Sequence, residues 1–195
     1  IHRSGQNKDS FDIKTEFNRK GAEVGNNMKP VAEPVMNLLY DSLKDLQQTL
    51  GFKSQEGILN LGVAIASRGI RGSAAHYELE KNVLNLTRDQ GAGTFIHEYA
   101  HALDAYLGTY EKAELYKSKE GSKYSGLNEA MESIPGFDQP MKRMFLSDLI
   151  DKGFTPNTDA GKAFETIYYA MMYRPNANLP DYQNDQEQIS REFNG

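Results

Sequence analysis

Apolar positions recur at helical spacing in two long stretches of the chain, with short strand-like runs between them. From Pro30 onward, Val31, Val35, Leu38, Leu39, Leu43, Leu46 and Leu50 fall three or four residues apart. That spacing predicts an amphipathic helix with one face on a core. Pro30 and Pro34 fit its first turn or the residues before it, and Gly51 is placed to close it. Leu61 to Ala66 is a compact apolar run. Ala74 to Leu79 and Val83 to Thr87 predict two further strands, joined by a turn at Glu80, Lys81 and Asn82. The second helical stretch carries Ile96, Tyr99, Leu103, Tyr106 and Leu107 as an inward stripe, and Gly108 is placed to end it.

Elsewhere the pattern is weaker. Ile1 to Lys20 is polar and without period, the mark of an N-terminal arm, and Gly21 and Gly25 punctuate a loop after it. Thr109 to Gly126, rich in Lys, Glu and Tyr, predicts a solvated helix or loop. Leu127 to Ile134 and Gln139 to Lys152 predict helices, the second with Met141, Met144, Phe145, Leu149 and Ile150 on one face. Ala160 to Tyr173 predicts another, with Phe164, Ile167, Tyr168 and Met171 inward. Arg174 to Asp185 reads as a loop before a last helix. A helix, a small sheet, a second long helix and a mostly helical C-terminal part make an α+β order. At 195 residues the chain has the size of one domain.

Composition narrows the function. With 22 basic against 27 acidic residues, the net charge of −5 argues against general binding to nucleic acid or to a membrane surface. The chain has no cysteine, so disulfides and thiolate metal ligands are excluded. No apolar run approaches the ~18 residues of a membrane span. Beginning at Ile1 rather than methionine, the sequence reads as an excised or a processed piece.

Chemistry concentrates in His97-Glu98-Tyr99-Ala100-His101, an HExxH motif on the second long helix. Residues four apart lie on one helix face, so two neutral imidazole nitrogens can hold one metal ion. Glu98, one step round, can act on a water bound to that ion. The pattern alone arises by chance often enough to need its helical context, and the same pair could be surface histidines. His76 sits in the middle of a predicted strand, where a surface or hydrogen-bonded role is the ordinary one. Arg68 and Arg71, in a glycine-rich turn, read as solvated.

Between Phe17 and Leu107 the chain resembles the first type of large polyvalent protein-associated domain. This is a zincin-like metallopeptidase module found in very large proteins of phages and conjugative elements. The resemblance rests on ordered blocks: Phe17 to Asn26, Leu39 to Leu46, Ala66 to Gly69, Ala75 to Glu78, Leu84 to Gly93, then the His97 motif with Ala102, Leu103 and Asp104. It covers about half of the chain. It implies a small β-sheet packed on helices, an active-site HExxH helix and a bound Zn²⁺.

A catalytic zinc site of this kind takes one more protein ligand and leaves a position for water. The metzincin arrangement would need histidine at Leu107 and glycine at Asp104, and has neither here. The resemblance implies a distal glutamate instead. Glu187-Gln188-Ile189-Ser190-Arg191-Glu192-Phe193 is similar to the family's closing helix, with Tyr182 upstream, and differs from it at Gln188, Ile189 and Glu192. Glu187 is therefore the first choice, with Glu165 and Glu129 next. Asn128 to Glu132 is also similar to the glutamate helix of gluzincins.

The implied chemistry is peptide hydrolysis, with His97, His101 and a distal glutamate holding Zn²⁺ and Glu98 as general base. Asp104 would orient an imidazole from behind. His76, Tyr168, Tyr169 and Tyr173 are candidates for oxyanion or substrate contact. The partner would be a protein or peptide, and the setting a virion or the cytoplasm of an infected host. Two other readings have different consequences. A zinc-stabilised interaction module of a larger phage or plasmid protein would need a fourth protein ligand. A metal-free interaction domain would take up no zinc.

Overall fold

The computed structural model describes residues 5–17, 19–52, 58, 60–67, 75–86, 92–117, 134–139 and 142–172. They divide into two compact units, residues 1–106 with 142–144, and residues 107–141 with 145–195.

The first unit begins with α1 (Ser10–Phe17), where an arm was expected. Ile13 and Phe17, four residues apart, are fully buried, and this single pair fixes the helix on the core. Asp9 starts the helix, its Oδ1 accepting hydrogen bonds from the backbone N–H groups of Phe11 and Asp12. After Gly21, whose φ of 112° only glycine adopts without strain, comes β1 (Gly21–Val24), a strand at a place the glycines marked as loop. A 3-10 turn (Asn26–Val31) leads into α2 (Ala32–Leu50), which Gly51 closes at φ 71°, as its position predicts.

The three strands β2 (Gly62–Ile65), β3 (Ala75–Glu78) and β4 (Val83–Leu86) fall within the runs predicted for them. Together with β1 they form a four-stranded mixed sheet in the order β1-β2-β4-β3. β1, β2 and β4 run parallel, and β3 pairs with β4 antiparallel through the expected turn. Asn82 makes that turn at φ 54°, a conformation asparagine tolerates better than most residues, and its Oδ1 accepts the Tyr77 hydroxyl at 2.8 Å. Central β2 is buried along its whole length, which explains why it reads as a continuous apolar run rather than an alternation.

Strand register sets two faces. Val63, Ile65, Leu84, Leu86 and Tyr77 belong to the core cluster, with Leu39 and Leu43 of α2 and Phe95, Tyr99 and Ala102 of the third helix. His76, paired with Asn85, lies by the alternation of the strands on the opposite face. On α2 the inward face is Met36, Leu39, Tyr40 and Leu43, whereas Val31, Leu38 and Leu50 of the expected stripe are exposed.

That third helix, α3 (Ala92–Lys117), runs through Gly108 without stopping. Burial overrides the local cost of a helical glycine, roughly 1 kcal/mol. Gly108 itself is buried, and so are Leu107, Glu111, Lys112 and Leu115 around it. Of the expected inward stripe, Tyr99 and Leu107 are buried and Leu103 and Tyr106 pack against the core, and Ile96 departs from it. Phe95, Tyr99 and Ala102 face the core, while Ile96 is 54% exposed.

The second unit contains the end of α3, a turn at residues 134–139, α4 (Leu146–Asp151) and α5 (Asp159–Met172). Among the described residues of the helix expected from Gln139 to Lys152, Leu146–Asp151 is the helical part, with Leu146, Leu149 and Ile150 buried. Helix α5 matches its predicted range to within a residue at each end, but Ile167 is exposed instead of inward. Glu111 is fully buried at the start of α5. Its Oε2 accepts the N–H of Asn157 and its Oε1 the N–H and hydroxyl of Thr158, which in turn caps Gly161 N–H. A carboxylate there meets the positive end of the helix as well as its free N–H groups. The helices expected at 127–134 and after Asp185 lie outside the described residues, as do Arg68 and Arg71.

Candidate metal centre

His97, Glu98, His101 and Asp104 all lie on the part of α3 that belongs to the first unit. Phe95, Tyr99 and Ala102 hold one face of the helix in the core, so the two histidines are carried round toward the open side. His97 is exposed and His101 half-buried. Their Nε2 atoms approach to 3.1 Å, with the rings inclined at 81°.

That separation fits two uses. One is an N–H···N hydrogen bond between two neutral imidazoles of complementary tautomer. The other is shared ligation. With zinc–nitrogen bonds of about 2.0–2.1 Å, nitrogens this far apart subtend roughly 100° at the ion, near the tetrahedral angle. The donor set is therefore suited to zinc, which prefers neutral imidazole nitrogen. Burial, and then the neighbouring charge of His97, hold the His101 imidazole below its ordinary pKa, with Glu98 pulling the other way. His101 is accordingly biased toward the neutral form that a metal needs.

Glu98 is only 7% exposed, and its carboxylate acts electrostatically on the His101 imidazole. A buried carboxylate normally recruits donors. Beside a histidine pair, a proton-bearing ligand of a bound ion could be such a donor. Asp104, three residues beyond His101 on the same helix, is buried as well.

Among the described residues no third histidine, aspartate or glutamate joins the pair in a group of three. Glu187, Glu129, Tyr173 and Tyr182 lie outside the described residues. Glu165, Tyr168 and Tyr169 belong to α5 in the second unit. There the Tyr168 hydroxyl donates to the Asp151 carboxylate at 2.8 and 2.9 Å to its two oxygens, and its ring stacks on Phe164. His76, on the sheet face away from the core cluster, stands 3.9 Å from Glu78, whose Oε1 also accepts Asn85 Nδ2 at 2.7 Å.

Arg19 carried no signal in the sequence, since a charged residue in a polar run reads as solvated. It is 3% exposed, and its guanidinium donates to the Ile58 carbonyl and to the Tyr99 hydroxyl inside the motif.

The chain matches no family model, no curated protein and no solved structure.

Proposed function

We propose that this chain is a zinc-dependent metallopeptidase module of the zincin type, part of a larger phage or mobile-element protein. The observation that carries the reading is the convergence of the His97 and His101 Nε2 atoms to 3.1 Å beside the buried Glu98. The family-like blocks from Phe17 to Asp104 support it, as does an α+β unit with a small mixed sheet whose core the HExxH helix shares.

His97 and His101 would hold Zn²⁺, with Glu187 as the preferred third ligand ahead of Glu165 and Glu129. The ion, when bound, supplies an activated water at neutral pH and polarisation of the scissile carbonyl. Glu98 takes the proton of the attacking water and delivers it to the leaving amine. Its burial keeps competing donors away from that carboxylate. Asp104 restrains the helix's imidazoles in the ligating tautomer.

Glu98→Gln separates binding from catalysis. The variant keeps one zinc per chain and loses cleavage of an unfolded protein offered as substrate. Equal cleavage by variant and parent contradicts Glu98 as the base. A zinc-loaded parent that cleaves nothing, with a fourth protein ligand in its coordination shell, moves the protein to the zinc-stabilised interaction module.

A further inference from the structure

Arg19 is a buried cation in an unusual setting. Its guanidinium lies over the Tyr99 ring, 5.7 Å from the centroid, and Nη2 donates to the Tyr99 hydroxyl at 3.3 Å. Nη1 donates to the Ile58 carbonyl, Nε has no partner, and no carboxylate pairs with the group among the described residues. A buried charge is expensive even where it is hydrogen-bonded, and an apolar residue of the same volume would pack this junction at lower cost. Tyr99 is 2% exposed, and phenylalanine would fill its place in the core without needing a partner.

What the pair adds over apolar packing is direction. Phe95, Tyr99 and Ala102 keep α3 on the core, and a hydrogen bond adds a directional restraint to that packing. Side-chain tips lie roughly 5–6 Å from a helix axis, so a turn of about 20° moves them about 2 Å. Metal–ligand distances tolerate only about 0.2 Å. A hydrogen bond from the α1–β1 junction to a residue between Glu98 and His101 sets that rotation.

We propose that Arg19 is a positioning residue of the His97–Glu98–His101 site, fixing the rotation of α3 through the Tyr99 hydroxyl. The inference rests on the zinc reading above. The test compares the parent with Tyr99→Phe, Arg19→Met and Arg19→Lys, measuring metal-free melting temperature, zinc affinity by chelator competition, and the visible spectrum after Co²⁺ substitution. Tyr99→Phe and Arg19→Met should weaken zinc binding about tenfold and alter the Co²⁺ band, with Arg19→Lys recovering part of both. Tyr99→Phe keeps the ring in the core and carries the test if Arg19→Met does not fold. Lower melting temperatures with unchanged zinc affinity and Co²⁺ spectrum would make the pair structural only and overturn the proposal. A parent that takes up no zinc overturns the zinc reading itself, and the proposal with it.

Discussion

The Nε2 atoms of His97 and His101 lie 3.1 Å apart on α3, a helix whose opposite face is anchored by Phe95, Tyr99 and Ala102. The spacing follows from helical geometry, because residues four apart stack on one face. The anchoring follows from the core, which turns that face outward. Everything proposed for this chain depends on these two facts holding together.

Helix α1 is part of the first unit's core, not an appended arm. Ile13→Ala should destabilise the protein by roughly 2–5 kcal/mol in urea unfolding, as for other fully buried aliphatic residues. An arm would predict no measurable change. Phe11→Ala, on the exposed side of the same helix, serves as the control.

The second unit depends on Glu111 at the start of α5. Glu111→Ala removes a fully buried acceptor of two backbone N–H groups and a hydroxyl, whose donors Asn157 and Thr158 are exposed and half-buried. The expected loss is about 1.5–3 kcal/mol, since water can reach part of the freed donors. Hydrogen exchange should show it first at the N-terminal turn of α5. A loss under about 0.5 kcal/mol, the ordinary range for surface substitutions, would contradict the role assigned to this carboxylate.

Alkaline stability should report on the turn between β3 and β4. Burial raises the Tyr77 phenol above its ordinary pKa, opposed by the charge and hydrogen bond of Arg143. A folded pKa above the unfolded one means that the contribution is complete below about pH 10 and is lost as pH rises through the folded value. Tyr77→Phe should flatten the alkaline limb of the stability curve without abolishing it. Tyr116 is raised by burial in the same direction and remains. An unchanged alkaline limb in the variant would contradict the assignment to Tyr77.

The residues that the sequence made legible share one property, a periodicity strong enough to survive context. The spacing of His97 and His101, the α2 stripe with Gly51 behind it, and the hairpin at Asn82 are all local patterns. Helix α1 was hidden because only Ile13 and Phe17 carry its inward face. Strand β1 was hidden because four residues beginning with Gly21 look like punctuation, and its strand character comes from pairing with β2. Gly108 misled because the cost of a helical glycine is small beside the burial of Leu107, Glu111 and Leu115. On α3 Ile96 left the expected stripe because Phe95 fills the core in its place. Arg19 could not be found at all, since nothing local distinguishes a buried arginine from a solvated one.

The central claim is that His97 and His101 hold a catalytic metal. The most direct measurement is metal content of the protein purified without a polyhistidine tag, beside His97→Ala. The account predicts about one tightly bound zinc per chain, lost in the variant while the fold is retained. Absence of zinc from the parent after zinc addition and dialysis would contradict it, leaving a histidine pair joined by a hydrogen bond on the open side of a helix.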